Sequence, residues 1–251
     1  MLPLRDRMLG SLLGAAVGES LAGGTAGVSA AIDAAESLTR SQRARLETPE
    51  NGSQSVSAAW GVMAALPVAL FFHHDRDRCH QQLQQLTVRW QLSPSLAWGL
   101  LAVADAVAGK TSMTQTLAES EFGETVRAAI AGRYNLDATL QALGSRDGKA
   151  IAVAVAAYCF LDTPEDFFLT VKRSQRSPHP QLSTALAGAL SGAYNGTAAV
   201  PVTWELAVTE RDRLREASDR LYAAWSGVCD VGQAAVWEGT IVGAAGGLRS
   251  P

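Results

Sequence analysis

Apolar and small residues recur at three- and four-residue intervals along most of the chain, which is the spacing of one helix face. No stretch alternates polar and apolar residues over more than four or five positions, and hairpin turn dipeptides are missing between the apolar runs. We therefore expect an all-α fold, a helical bundle formed as one domain over residues 1–251. The pattern predicts helices over residues 4–21, 55–72, 73–90, 94–108, 112–119, 123–131, 136–143, 149–161, 163–172, 183–194, 202–225 and 231–245.

Prolines and polar residues modify this pattern at three places. Pro67 is expected to kink the helix at residues 55–72 or to end its first half. Residues 33–53 are polar and are predicted to form a loop or an insert. Thr163 is expected to cap the following helix, because a proline at the next position suits the first helical turn.

Two of the predicted helices carry glycine at every fourth position, which places each set of glycines on one helix face. A glycine inside a helix costs about 1 kcal/mol relative to alanine. Such regular placement therefore predicts that another backbone, or a ligand, approaches where a Cβ atom would clash. The glycines are Gly10, Gly14 and Gly18 in the first helix, and Gly188, Gly192 and Gly196 in the second.

Composition and charge argue against several classes of protein. Hydrophobic residues make up 47% of the chain, which argues against global disorder, and a net charge of −3 argues against a nucleic-acid partner. The first apolar stretch, residues 8–17, is about half the length of a bilayer-spanning helix, so no membrane association is expected. Three widely spaced cysteines without a CxxC motif suit a reducing compartment, and we expect a cytoplasmic protein.

Two segments resemble the ADP-ribosylglycohydrolase family. Residues 5–21 read RDRMLGSLLGAAVGESL, similar to the family pattern GxxxGxxxGDAxG, and residues 179–196 read HPQLSTALAGALSGAYNG, similar to GGDTDTxAAxAGALxGAxxG. The stretch from Asn51 to Pro67 is similar to a middle family segment, more weakly. The resemblance implies an all-helical fold and, in active members, a pair of divalent cations, usually Mg²⁺, that serve hydrolysis of an ADP-ribosyl bond.

The chain departs from the family where the metal-binding carboxylates are expected. Glu19 replaces the first-helix aspartate, His179 and Gln181 replace two late aspartates, and the expected threonine-aspartate-aspartate motif is missing between residues 22 and 57. Because Mg²⁺ prefers anionic oxygen ligands, we expect no metal or other cofactor and a catalytically inactive binding or regulatory module. Its predicted ligand is an ADP-ribose-like molecule or an unknown protein partner. The candidate pocket residues are Glu19, Asn51, Gly52, Ser53, His179, Gln181 and Gly188.

Two alternatives stay open from the sequence. In the first, the chain is an active Mg²⁺-dependent hydrolase that removes ADP-ribose from a modified substrate, with Glu19 as the candidate catalytic residue and Asp33 or Glu36 supplying further carboxylates. In the second, the chain binds zinc through the histidine-rich run from His73 to His80. The two arginines in that run, Arg76 and Arg78, favour instead a solvated cluster that ends one helix and caps the next.

Overall fold

The computed structural model describes residues 2–41, 57–109, 113–144 and 147–227. Every regular element in these ranges is helical, so the predicted all-α class is confirmed for the described part of the chain. None of the helices described there is both long and apolar enough to cross a bilayer. The elements are α1 Leu4–Leu21, α2 Gly27–Ser41, α3 Ala58–Phe71, α4 Arg76–Arg89, α5 Ser95–Val107, α6 Met113–Ala118, α7 Gly123–Ala131, α8 Leu136–Leu143, α9 Gly148–Asp162, α10 Phe167–Ser174, α11 Pro180–Asn195, the 3₁₀ turn Thr197–Ala199, α12 Val202–Leu206 and α13 Arg211–Ser226.

The two glycine-bearing helices, α1 and α11, pack against each other at the centre of the molecule. A Cβ atom added to Gly14 would overlap the carbonyl group of Gly188, and one added to Gly188 would overlap the carbonyl group of Gly14. Gly10 faces Gly192 in the same reciprocal way. As residue numbers rise along α1 they fall along α11, so the helices are antiparallel. The predicted close approach of a second backbone is confirmed.

The rest of the core surrounds this pair. Helix α9 is buried along its whole length from Ala150 to Phe160, as its apolar sequence predicts. Helix α3 is buried from Gly61 to Phe71. Pro67 lies inside α3 without ending it, so of the two predicted effects the end of a first half is wrong, and the kink stays a prediction. Because all of its neighbours are buried in the core, packing holds this segment helical despite the hydrogen bond that proline cannot donate.

The segment at residues 33–53 is partly helical, which corrects its prediction as a loop. Residues 33–41 continue α2, and the side chains of Ala34, Ala35 and Leu38 are buried. The apolar spacing of α2 turns these residues toward the core, which the charged residues nearby obscure in the sequence. The remainder of the segment lies outside the described residues, as does the helix predicted at residues 231–245.

Two helix boundaries differ from the predictions for local reasons. Asp166, not Thr163, caps α10, because its carboxylate accepts the N–H of Leu169 at 2.8 Å, whereas the Thr163 hydroxyl donates to the carbonyl of Cys159 at 2.9 Å. The helix predicted over residues 202–225 is divided into α12 and α13, since Glu210 adopts a left-handed backbone conformation with φ 57°.

Candidate functional site

Glu19 lies in the last turn of α1, and its side chain is turned toward the start of α2. Its Oε1 atom accepts the N–H of Gly27, the first residue of α2, at 2.9 Å. A carboxylate at this position satisfies a free N–H group and complements the positive end of the helix dipole. Glu19 therefore caps a neighbouring helix from a distance of eight residues along the chain.

The second carboxylate oxygen of Glu19 is buried without a hydrogen-bond partner. Glu19 is only 3% exposed, and its Oε2 atom pairs with no donor. A Cβ atom on Gly27 would lie 2.5 Å from this oxygen and 2.5 Å from Cγ of Met63, so only glycine fits there. Burial raises the pKa of Glu19, and the hydrogen bond from Gly27 opposes that rise in pKa.

His179 and Gln181 lie at the start of α11. His179 is the N-cap residue and is exposed, but its side chain makes no capping hydrogen bond. Its imidazole instead covers Gly148, the first residue of α9, where a Cβ atom would lie 2.6 Å from Nε2. Gln181 is exposed, and its Nε2 atom donates a long hydrogen bond of 3.5 Å to the carbonyl of Ala22.

The structure places these three residues at the same end of the α1–α11 pair. Ala22, which accepts the hydrogen bond from Gln181, follows Glu19 by three residues at the end of α1. His179 is turned away toward α9. In the described part of the chain, no hydrogen bond or ion pair joins Glu19, His179 and Gln181 to one another, so they share a neighbourhood but form no ligand cluster.

The other candidate pocket residues are placed differently. Gly188 is buried in the contact with Gly14 and faces a helix backbone, not an open surface. Asn51, Gly52 and Ser53 lie outside the described residues.

The donor set does not fit the pair of divalent cations that the resemblance implies. Glu19 offers one dehydrated carboxylate oxygen, His179 offers an exposed imidazole, and Gln181 offers an amide. Within the described ranges, no group of three or more His, Cys, Asp or Glu side chains could hold a metal ion. Mg²⁺ favours several hard, anionic oxygens in near-octahedral geometry, which these three side chains do not provide.

The carboxylates named for the hydrolase alternative do not join Glu19. Asp33 is exposed on α2, six residues beyond Gly27 and therefore about 9 Å further along the helix axis. Glu36 lies further along the same helix and faces the guanidinium groups of Arg40 and Arg220, each at 3.8 Å.

The histidine-rich run between α3 and α4 acts as a helix boundary. Asp75 caps α4 by accepting the N–H of Arg78 at 3.1 Å. The Nδ1 atom of His73 lies 2.7 Å from a backbone carbonyl of α3, whereas Nδ1 of His74 accepts the indole N–H of Trp225 at 3.1 Å. Both imidazoles also lie beside the Trp225 ring of α13, with ring centroids 4.9 Å away for His73 and 6.1 Å for His74. The expectation that this run ends one helix and caps the next is met for α4.

The sequence prediction missed the partner of Glu19 because it missed the start of α2. The signal was present, since apolar residues at i, i+3, i+4, i+7 and i+10 mark the buried face of that helix. They are Val28, Ala31, Ile32, Ala35 and Leu38.

An apolar pocket of about 320 Å³ lies away from these residues, between α6, α7 and the end of α9. None of the predicted site residues lines it. Its lining residues are Leu117, Gly123, Val126, Arg127, Ile130, Ala131 and Leu161.

Comparison with known proteins tests the resemblance to ADP-ribosylglycohydrolases. The family model described as ADP-ribosylglycohydrolase matches residues 28–230, which is most of the chain. The matched range contains His179, Gln181 and the second glycine run, and it begins after Glu19. No curated protein sequence gives a significant match. Because the family model matches residues 28–230, well over half of the chain, the chain belongs to the ADP-ribosylglycohydrolase family.

Proposed function

We propose that this family member does not catalyse metal-dependent hydrolysis and serves instead as a binding or regulatory module. The observation that carries the proposal is the engagement of Glu19. Its carboxylate caps α2 through Gly27, and the two late family positions hold His179 and Gln181, which supply no anionic oxygen.

The physical argument concerns the charge that a cation pair requires. Two adjacent divalent ions repel each other, and carboxylates offset both that repulsion and the loss of water from each ion. One carboxylate whose first oxygen already accepts a backbone N–H leaves a single anionic oxygen for two ions. Without bound cations, the polarised ribose and positioned water of a metal-assisted hydrolysis are not available.

An ADP-ribose-like ligand is the ligand class that the geometry supports. The N-termini of α9 and α11 lie side by side, because the imidazole of His179 contacts Gly148. At α9 the carboxylate of Asp147 already accepts the N–H of Ala150 at 3.3 Å, whereas the N-cap side chain of α11 makes no hydrogen bond. The free N–H groups and the positive dipole end of α11 therefore favour a phosphate group. A protein partner and a cytoplasmic location stay predictions from the sequence.

Hydrolysis and binding can be tested separately on the full chain. The first measurement follows release of ADP-ribose from an ADP-ribosylated protein with and without Mg²⁺, and we expect no release. The second follows the thermal unfolding midpoint with free ADP-ribose. A ligand at 100 times its dissociation constant adds about 2.7 kcal/mol, and we expect the same shift whether or not Mg²⁺ is present.

Restoring carboxylates supplies a matched comparison. The double variant His179→Asp/Gln181→Asp places anionic oxygens at the two late family positions, and we expect it to gain a Mg²⁺-dependent rise in the unfolding midpoint. Gln175→Asp is the control, because Gln175 also contacts the end of α1, through the carbonyl of Leu21 at 3.1 Å, but is not a family metal position.

Each alternative has its own signature. Mg²⁺-dependent release of ADP-ribose by the unmodified chain, abolished by Glu19→Gln, would establish the hydrolase and end the proposal. Stoichiometric zinc in protein purified without a tag would instead favour the zinc-binding alternative at His73 to His80.

A further inference from the structure

Helix α7 lines the apolar pocket of about 320 Å³ with one face. Its lining residues follow the spacing i, i+3, i+4, i+7 and i+8, which belongs to a single side of a helix. Leu117 of α6 and Leu161 of α9 form the other walls. The α7 residues of the lining are Gly123, Val126, Arg127, Ile130 and Ala131.

The pocket has a buried end and an exposed end. Leu117 and Val126 are only 2% and 1% exposed and form its floor. Arg127 and Ala131, one turn apart on α7, are exposed and lie at its mouth. A bound molecule would therefore place one end among buried hydrocarbon side chains and the other end in solvent beside a guanidinium group.

The volume of the pocket sets the size of the apolar end. An apolar cavity of about 150 Å³ stays free of water and binds benzene, which has six carbon atoms. A volume of about 320 Å³ is about twice as large, so it holds a hydrocarbon group of up to about 12 carbon atoms. This volume lies at the lower end of the range for small-molecule sites, about 300–1,000 Å³.

The charge at the mouth selects the other end of the ligand. Arg127 is the one charged residue among the described residues that line the pocket, and its guanidinium forms no ion pair with any of the described carboxylates. Acids on the neighbouring elements are already paired, since Glu119 binds Arg76 at 2.8 Å and Asp162 binds Arg173 at 2.6 Å.

The remaining acid near the mouth does not change this choice. Glu124 precedes Arg127 by three residues, but it is exposed and does not line the pocket. A cationic head group would thus meet an unpaired guanidinium, whereas an anionic one would pair with it. We propose that the pocket binds a small apolar monoanion, such as an aliphatic carboxylate, with its hydrocarbon end against Leu117 and Val126 and its carboxylate at Arg127.

Three probes with the same eight-carbon chain test the site and its charge preference: octanoate, 1-octanol and octylammonium. Methyl-resolved NMR of the full chain locates binding, and we expect octanoate to shift the methyl signals of Val126, Ile130 and Leu161. Because a ligand of this size has few atoms, its dissociation constant is on the order of 1 mM or lower. We expect octanoate to bind more tightly than 1-octanol, and 1-octanol more tightly than octylammonium.

Arg127→Glu tests the role of the guanidinium. It replaces an attraction to the carboxylate with a repulsion, so we expect octanoate to bind about tenfold more weakly or worse, while 1-octanol stays within about twofold. Octylammonium becomes the preferred charged probe. Arg89→Glu is the matched control, because Arg89 is exposed on α4, does not line the pocket and gives the same change in net charge. We expect it to leave all three dissociation constants unchanged.

The outcomes divide clearly. Absence of methyl shifts at about 10 mM octanoate, ten times the expected dissociation constant, overturns the site. Equal affinity for the three probes, or an equal loss of octanoate affinity in Arg127→Glu and Arg89→Glu, overturns the assignment of an anion. Neither result touches the proposed function, because none of the lining residues belongs to α1 or α11.

Discussion

The carboxylate of Glu19 accepts the N–H of Gly27, eight residues further along the chain, and so caps the start of α2. The side chain is one methylene longer than the aspartate that the family resemblance implies at this position. The second oxygen of this carboxylate is buried and accepts no hydrogen bond. At the scale of the residue, the protein thus keeps a buried carboxyl group whose hydrogen bond is with its own backbone.

Glu19→Gln tests the energetic consequence of that burial. Because burial raises the pKa of Glu19 above its ordinary value of 4.5, the native state binds the proton more tightly than the unfolded chain does. The stability contributed by Glu19 is fully present below pH 4.5 and is lost as the pH rises through the raised pKa. We expect the unmodified protein to lose stability relative to Glu19→Gln over that interval.

Urea unfolding of both proteins from about pH 4.5 to neutral pH measures this difference. Glu124→Gln, at an exposed position in the first turn of α7, controls for the removal of one negative charge. Parallel dependence of unfolding free energy on pH for the unmodified protein and Glu19→Gln would contradict the expectation.

At the scale of the element, the antiparallel contact of α1 and α11 depends on the absence of side chains. Gly14 and Gly188 each face the other's carbonyl group, and Gly18 faces the backbone of Thr184. The third glycine of the second run has a different use. Gly196 ends α11 with φ 72°, a backbone conformation that favours glycine. The same four-residue spacing therefore includes glycines that allow backbone contact between helices and one glycine that ends a helix.

Gly14→Ala and Gly61→Ala separate backbone contact from side-chain contact. Both substitutions gain about 1 kcal/mol of helix propensity. The new methyl group meets the carbonyl of Gly188 in the first variant and the flexible end of Leu92 in the second. We expect Gly14→Ala to lower the free energy of unfolding by about 2–3 kcal/mol and Gly61→Ala to change it by less than about 1 kcal/mol. Urea unfolding measures the free energy of unfolding of both variants. An equal decrease in the two would refute the distinction between backbone contact and side-chain contact.

At the scale of the whole molecule, contacts between distant parts of the chain tie the ends of the fold together. Arg5 in the first turn of α1 donates two hydrogen bonds of 2.8 Å to Asp219 in α13. Helix α2 reaches α13 as well, where Glu36 faces Arg220. The buried apolar side chains form one continuous core across these helices. That the chain forms one domain over residues 1–251 stays a prediction.

A single domain predicts one cooperative unfolding transition. We expect far-ultraviolet circular dichroism, which follows all helices, to give the same urea midpoint as tryptophan fluorescence, which follows separated sites such as Trp90 and Trp204. Buried Trp90 ends α4, while Trp204 lies on α12. Two resolved transitions, or midpoints that differ between the probes, would divide the chain into independently folding parts.

The sequence by itself determined the helical class, the position of most helices and the burial of α9, because these follow from the local spacing of apolar residues. The glycine runs also predicted a backbone contact, since four-residue spacing is a property of one helix. The family resemblance added the three positions where family aspartates are replaced, two of them by residues without a carboxylate. None of these conclusions requires knowing which distant residues meet.

Only the tertiary structure decided which partners those residues have. It shows that Glu19 accepts the N–H of Gly27, that α3 continues through Pro67, and that Asp166 caps α10. It also brought Phe168 onto Trp204 to make an exposed surface. Each outcome depends on packing and hydrogen bonds between segments that are separated along the chain or compete locally, and spacing within one helix contains no information about the energies of those contacts.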